Sequence, residues 1–314
     1  MSLALSPKKQ IDIVVPVYNE LDNIVLFIEE IEKVFSTIPY TYTIFFVDDG
    51  SKDASLKTIK ATSEANTNVK FISFSRNFGK DAAMQAGLHT STGDAAITID
   101  ADLQHPIEMI PDMLAHWEAG NDIVYAYREK ANEFVSLSHK ISATFFYKLL
   151  NTISDIEIED GATDFRLTDK KVVRVLNGLS EYEPYLKGLT KWVGFSQKAI
   201  PYMPKKRIHG ETKYSKRALL RLALRGITSF SVKPLSLAIY IGFAFSLLSL
   251  LYIPYAIYSL IMGLNVSGWA SIIVTIAFFG GLQLMILGII GVYLGKLFIN
   301  SKNRPHYIIK ESSL

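Results

Sequence analysis

The sequence predicts an α/β domain built on a mostly parallel sheet, joined through a basic amphipathic interface helix to two C-terminal transmembrane helices. Three observations carry this reading. Short β-branched runs alternate with helical periodicity over the first hundred residues; the residues directly after each run are polar or acidic; and Pro234 through Gly295 contain no Asp, Glu, Lys or Arg. Strands alternating with helices imply right-handed crossovers and therefore parallel pairing. At 314 residues the chain exceeds the usual size of one domain. We divide it into a globular domain at 1–205, basic juxtamembrane helices at 206–233, two membrane helices at 234–298 and a tail at 299–314.

Ile11-Asp12-Ile13-Val14-Val15-Pro16 is a β-branched run ended by proline, as expected of a buried strand leaving its sheet. Residues 20–35 follow as a helix, with Ile24, Phe27, Ile28 and Ile31 on one face. The alternation continues with a strand at 42–47, a helix near 55–64, a strand at 69–74, a helix near 81–88 and a strand at 95–99. In open parallel sheets ligands bind beyond the carboxyl ends of the strands. Those ends read Pro16-Val17-Tyr18-Asn19-Glu20, Asp48-Asp49-Gly50-Ser51, Arg76-Asn77-Phe78-Gly79-Lys80 and Asp100-Ala101-Asp102-Leu103-Gln104. Four polar strand ends should therefore converge on one crevice.

Asp100 and Asp102, with Gln104 just beyond, offer hard oxygen ligands that suit Mg²⁺ or Mn²⁺ completed by diphosphate oxygens and water. Asp48-Asp49-Gly50-Ser51 supplies a turn and an N-cap, and its second acid exceeds what a cap needs. A carboxylate there can accept hydrogen bonds from a uracil or guanine edge or from ribose hydroxyls. The chain has no cysteine, which excludes disulfides and thiolate metal sites. The net charge of +3 gives no sign of a nucleic-acid partner.

The uncharged run is about three times the length needed for one span. Its one polar interruption, Leu264-Asn265-Val266-Ser267-Gly268, divides it into spans near 235–262 and 269–298. Pro254 is expected to kink the first span, and Gly280, Gly281, Gly288, Gly291 and Gly295 to let the two helices approach closely. Lysines and arginines crowd before the first span and after the second, while the short turn has none. The positive-inside rule puts the globular domain and both termini in the cytoplasm, at the inner membrane. Residues 1–10 hold Lys8 and Lys9 without a long apolar stretch, so no secretory signal is expected. In the stretch before the first span, Arg217, Arg221 and Arg225 recur every four residues, forming a basic stripe suited to the headgroup layer of the bilayer.

Taken together, the four strand ends resemble glycosyltransferase family 2, whose catalytic domain has the GT-A (Rossmann-like) fold. Asp164-Phe165-Arg166-Leu167, Trp192-Val193-Gly194-Phe195 and Arg207-Ile208-His209-Gly210-Glu211-Thr212-Lys213-Tyr214 resemble its branch acting on polyprenyl phosphates, which includes dolichol-phosphate mannose synthases and bactoprenol glucosyltransferases. The resemblance implies that Pro16, Tyr18, Glu20 and Asp49 surround the nucleoside, that Lys80, Asp100, Ala101 and Arg128 help bind the nucleotide-sugar, and that Asp100, Asp102 and Gln104 hold the metal. It further implies acceptor-phosphate contacts from Arg207 and Lys213, and catalytic roles for Asp102 and for Asp164, nearest the acceptor. Asp160 and Glu181 are runners-up to Asp164.

The chain departs from the family where Tyr125-Ala126-Tyr127-Arg128 replaces Gly-Ser-Arg and Thr212-Lys213 replaces Ser-Lys. The implied reaction is inverting transfer of a sugar, with UDP-glucose the preferred donor, to a polyprenyl phosphate at the cytoplasmic face. The alternatives are a GDP-mannose-dependent enzyme of the same branch and a family member extending a polysaccharide on a hydroxyl acceptor. The latter calls for more spans and a Gln-X-X-Arg-Trp-like motif, which the chain lacks. Partners compatible with the resemblance are the nucleotide-sugar, the polyprenyl phosphate, the bilayer, a second copy of the chain, and a flippase or downstream transferase.

Overall fold

The computed structural model describes residues 8–129, 161–179, 181, 185–203, 231–263 and 268–314. The chain forms two compact units, one of residues 1–147, 157–215 and 304–314, the other of residues 148–156 and 216–303.

The first unit is an α/β layer structure with a GT-A-like fold. Its strands are β1 (Gln10–Val17), β2 (Thr41–Asp48), β3 (Val69–Phe74), β4 (Ala95–Thr98), β5 (Ile123–Arg128), β6 (Ala162–Asp169), β7 (Gln197–Tyr202) and β8 (Ile309–Ser312). They form one sheet in the order β7-β5-β6-β4-β1-β2-β3-β8. The β4-β1-β2-β3 centre is parallel throughout, and β5 pairs parallel with β7. Antiparallel pairing enters at β6, between β4 and β5, and at β8 on the β3 edge. Helices α1 (Ile24–Phe35), α2 (Ser55–Ala65), α3 (Lys80–Thr90), α4 (Ile110–Glu118), α5 (Lys170–Asn177) and α6 (Leu186–Trp192) cover the sheet.

Alternation along β1 explains the layering. Ile11, Ile13 and Val15 face one core with Phe27 and Ile31 of α1, while Val14 faces a second core with Ala83 and Ala86 of α3. A central strand buried on both faces carries apolar residues at nearly every position. Its exception, Asp12, is 2% exposed and accepts hydrogen bonds from Ser91 Oγ and the Thr92 and Gly93 N–H groups, at 2.7–2.9 Å. This pins the turn from α3 into β4. Helix α3 lies unusually close to the sheet, because a Cβ at Gly87 would stand 2.2 Å from Val14 Cγ1.

Order reverses about β1: β2 and β3 lie on one side of it, β4 and β6 on the other. The crevice at that switch, above the carboxyl ends of the strands, is where such sheets bind ligands.

In the second unit, α7 (Lys233–Ile261) contains Pro254, and α8 (Trp269–Ser301) follows it. Among the described residues, Ile272–Ser301 is long and apolar enough to cross a membrane by length and composition, and Lys233–Leu248 is a shorter apolar stretch. Large apolar side chains such as Ile239, Phe243 and Leu284 stand exposed along both helices. The expected role of the glycines is not borne out. Among the described residues, a Cβ at Gly280, Gly281, Gly288, Gly291 or Gly295 would meet nothing within 4 Å, so no close approach at these residues is seen there. Contact instead uses large side chains, with Phe245 edge-on to Phe278 and Phe279 at centroid distances of 5.5 and 5.6 Å.

Candidate active site

The site is built from loops whose shapes are fixed by their own hydrogen bonds. After β1, Asn19 takes φ +56°. Its N–H donates to Ser51 Oγ at 3.0 Å, and its Oδ1 accepts from the Lys52 N–H at 2.8 Å, tying the β1 end to the β2 end. Glu20 accepts from Asn23 Nδ2 at 2.7 Å, and its N–H donates to Ser55 Oγ at 3.0 Å. Pro16 is the penultimate residue of β1, and Tyr18 beyond it is exposed.

Both acids after β2 serve the loops. Asp48 accepts from Ser73 Oγ at 2.8 Å and from the Ser51 N–H at 3.0 Å. Asp49, 3% exposed, accepts from the Phe78 N–H at 2.6 Å and the Gly79 N–H at 2.9 Å. Burial pushes its carboxyl up, and the two N–H groups oppose the shift. Gly50, at φ +70°, lets the two loops meet, since a Cβ there would lie 2.6 Å from the Arg76 carbonyl carbon. Asp49 thus fixes the residues that launch α3 and its first side chain, Lys80.

Lys80 is the hub. Its Nζ lies 2.6 Å from Asp100 Oδ1 and 2.6 Å from Asp164 Oδ2. The sheet explains why these two acids meet. In the antiparallel β4–β6 pair Thr98 stands opposite Arg166. Carrying that register two residues further sets Asp164 opposite Asp100 on the same face. Thr98 Oγ1 donates to the Asp164 carbonyl at 2.6 Å, locking the register where it matters. Lys187 of α6 approaches the other oxygen of Asp164 at 3.6 Å.

Burial works against the charge on Asp164, but Lys80 and then Lys187 outweigh it and hold the carboxyl well below the usual carboxylate range. Burial likewise works against the Lys80 ammonium, and Asp164 and Asp100 overcome it and hold the lysine protonated. Asp164 is therefore an ionised, cation-clamped carboxylate and a weak proton acceptor.

Ala101 is buried, and Asp102 accepts from the Gln104 N–H at 3.2 Å across Leu103, which takes φ +56°. His105 is 6% exposed, with its Nδ1 4.0 Å from Asp100 Oδ2 and its ring stacked on Phe165 at 5.5 Å. Burial pushes that imidazole down, so it stands neutral. Tyr202 packs edge-on to His105 at 5.8 Å. Burial raises its hydroxyl, and the Arg128 guanidinium opposes the shift.

The donor set fits a divalent cation. It offers two carboxylates and an amide, and a cation, the Lys80 ammonium, already rests on Asp100. No cluster of three His, Asp or Glu side chains that could hold a metal occurs among the described residues.

Of the residues singled out from sequence, Lys80, Asp100 and Asp164 are in direct contact, Asp102 and Gln104 are neighbours on the same loop, and Arg128 lies alongside through Tyr202. Pro16 stands one residue before the end of strand β1, and Tyr18, Glu20 and Asp49 occupy the adjoining loops. Arg207, Lys213, the basic stripe at 217–225 and Asp160 lie outside the described residues. Sequence reasoning missed Lys187 and Asp81, which flank Asp164, and gave His105 and Tyr202 no part. A short helix with an ordinary lysine near its start carries no signal that it will reach a carboxylate on another strand.

The family described as "Glycosyl transferase family 2" matches residues 12–176. The chain is 42% identical over 304 residues to the bactoprenol glucosyl transferase of Shigella phage SfII, covering 96% of this chain and 98% of that protein. It is 40% identical over 305 residues to the putative glycosyltransferase CsbB of Bacillus subtilis (strain 168), covering 97% and 92%. Among solved structures it is similar to mannosyl-3-phosphoglycerate synthase from Rubrobacter xylanophilus, with a TM-score of 0.50, 17% identity, and coverage of 70% of this chain and 73% of that one. At that identity the structural likeness speaks for the fold alone.

Proposed function

The chain belongs to glycosyl transferase family 2, a family of glycosyltransferases, and from that premise we propose that it transfers a hexose from a nucleotide-sugar to a polyprenyl phosphate at the membrane surface. The preferred donor is UDP-glucose, and the product is the inverted polyprenyl-phosphate sugar. The acceptor class follows the bactoprenol relatives, which match the chain along almost its whole length.

The observation that carries the reading is the clamped state of Asp164, between Lys80 Nζ at 2.6 Å and Lys187 Nζ at 3.6 Å. A sugar hydroxyl acceptor needs a base to remove its proton. A phosphate is already ionised at neutral pH and needs instead to be brought, as an anion, to a second anion. A carboxylate held ionised beside two ammonium groups suits the second task. Lys80 and Lys187 screen the phosphates, and Asp164 fixes where the two lysines point. Arg207 and Lys213 would add charge on the lipid side.

A Mg²⁺ or Mn²⁺ held by Asp100, Asp102 and Gln104 would neutralise charge on the departing diphosphate. Pro16, Tyr18, Glu20 and Asp49 would line the nucleoside, and Arg128 the donor phosphates or sugar.

We place the chain in the inner membrane with two spans, α7 and α8, and the catalytic unit cytoplasmic. The pairing of β8 with β3 supports an even number of crossings, because the chain leaves the catalytic unit before α7 and re-enters its sheet after α8.

Purified protein with Mg²⁺ or Mn²⁺ and a polyprenyl phosphate is expected to move labelled sugar from one donor of a panel into an organic-extractable lipid. The panel comprises UDP-glucose, UDP-N-acetylglucosamine and GDP-mannose. Absence of labelled lipid with all three overturns the lipid-acceptor reading.

A further inference from the structure

We propose that Lys80 is a built-in counterion that the divalent cation must displace from Asp100, so that the enzyme disfavours the bare ion and favours an ion arriving with its diphosphate. The inference rests on the reading that Asp100 and Asp102 carry the ion, and it concerns how that site is loaded.

Two contacts define the arrangement. The Lys80 ammonium is 2.6 Å from Asp100 Oδ1 and equally close to Asp164 Oδ2. Mg²⁺ sits about 2.1 Å from a carboxylate oxygen, and Mn²⁺ only slightly further. An ion at that distance from Asp100 Oδ1 would stand within a few ångströms of the ammonium, where two like charges repel steeply in a partly desolvated site. Lys80 and the ion therefore compete for Asp100 Oδ1.

Lys80 is the partner able to give way. Its side chain is 41% exposed and carries a flexible stem, whereas Asp100 is tied to a strand end and Asp164 is 14% exposed within β6. The foot of the lysine stays fixed, because Asp49 holds the Phe78 and Gly79 N–H groups that precede it.

What the displaced ammonium does next depends on what comes with the ion. With a bare ion it loses one of its two carboxylates and gains nothing. With an ion carrying a diphosphate, it exchanges a carboxylate for a phosphate oxygen and keeps Asp164. The exchange is close to neutral in the second case and unfavourable in the first. Lys187, already on the far oxygen of Asp164, keeps that acid compensated while Lys80 turns. Lys80 is thus a positioning residue that couples donor loading to the acceptor-side carboxylate.

The test uses the full-length protein in detergent and Mn²⁺ alone, with free Mn²⁺ followed by electron paramagnetic resonance. Lys80→Gln is expected to bind Mn²⁺ about fivefold or more tightly than the wild type, since a charge-assisted contact on Asp100 has been removed. Lys80→Arg should stay within about twofold of the wild type. Lys187→Gln removes the same charge from the same neighbourhood without touching Asp100, and should also stay within about twofold.

A Lys80→Gln protein that binds Mn²⁺ no better than the wild type overturns the proposal, as does a Lys187→Gln protein that gains as much. Should Lys80→Gln fail to fold, Asp164→Asn takes its place: the ammonium is then left to Asp100 alone, and Mn²⁺ should bind about fivefold more weakly. Unchanged or tighter binding there overturns it equally. Failure of the wild type and all variants to bind Mn²⁺ strikes instead at the metal site itself.

Discussion

Asp81, the second residue of α3, shows how one side chain reports on the charge cluster around it. Its carboxyl is pushed up to about 6, first by burial and next by Asp164, against the opposing pull of Lys80, Lys187 and the Leu186 N–H. The ordinary value is 3.8. The folded protein therefore holds more protons here than the unfolded chain between about pH 4 and pH 6. Stability contributed by that proton is present at low pH, falls as the pH rises through this window, and is gone above it. Asp81→Asn keeps an acceptor for the Leu186 N–H and removes the charge. It should stabilise the protein by roughly 1–2 kcal/mol at pH 8, a few degrees in Tm, and do little at pH 4.5. Thermal melts at the two pH values check this, and an equal shift at both would refute the account.

At the scale of elements, β8 is the part of the fold with the most to reveal. Four residues, mostly exposed, pair with β3 after the long apolar helix and cover what would otherwise be a bare sheet edge. Tyr307 stacks on Phe74 at 4.9 Å and its hydroxyl meets His89 Nδ1 at 2.9 Å, while Lys60 pairs with Glu311 at 2.6 Å. Tyr307→Ala should cost about 2 kcal/mol, from the lost aromatic pair and its buried area. Lys60→Ala should cost under about 1 kcal/mol, because that pair is partly exposed. Urea melts that rank the two in the opposite order would mean that charge, not stacking, holds the strand.

The same element marks the limit of what the sequence discloses. Strands β1 to β4 were legible because each is an apolar run followed by a polar loop, and a parallel strand buried on both faces has to look that way. Residues 309–312 are too short and too polar for such a pattern, and reading 299–314 only as a tail left the strand unseen. Strand β6 was read as the motif around Asp164 without its pairing. Its antiparallel register against β4, which sets Asp164 opposite Asp100, depends on a partner about seventy residues away that no local periodicity encodes. The carboxylates and Lys80 were therefore legible as site residues, whereas the contacts that join them, and Lys187, were not. Asp48 and Asp49 together exceed what a cap needs, and in the fold each also accepts hydrogen bonds from loop groups.

For the whole molecule, the decisive constraint is that a strand cannot pair with its neighbour across a bilayer. The catalytic unit contributes β1 to β7 before the apolar helices and recovers β8 after them. Whatever crosses the membrane between Tyr202 and Ile309 must then cross an even number of times. If Ile272–Ser301 is one crossing, the proposed second crossing is α7, the other apolar helix among the described residues. The distribution of charge favours the same proposal, since lysines and arginines lie before residue 234 and beyond residue 295 and none lies between.

The chain's lack of cysteine makes this directly testable, because a single introduced thiol is the only one present. Gly268→Cys, at the start of α8, is expected to react with a membrane-impermeant maleimide in intact cells. Lys302→Cys, at its end, should react only after the membrane is opened. Labelling of both positions from outside, or of neither before permeabilisation, would be incompatible with two spans. Labelling of Lys302→Cys alone would reverse the orientation and put the carboxylate site on the face opposite to cytoplasmic nucleotide-sugars.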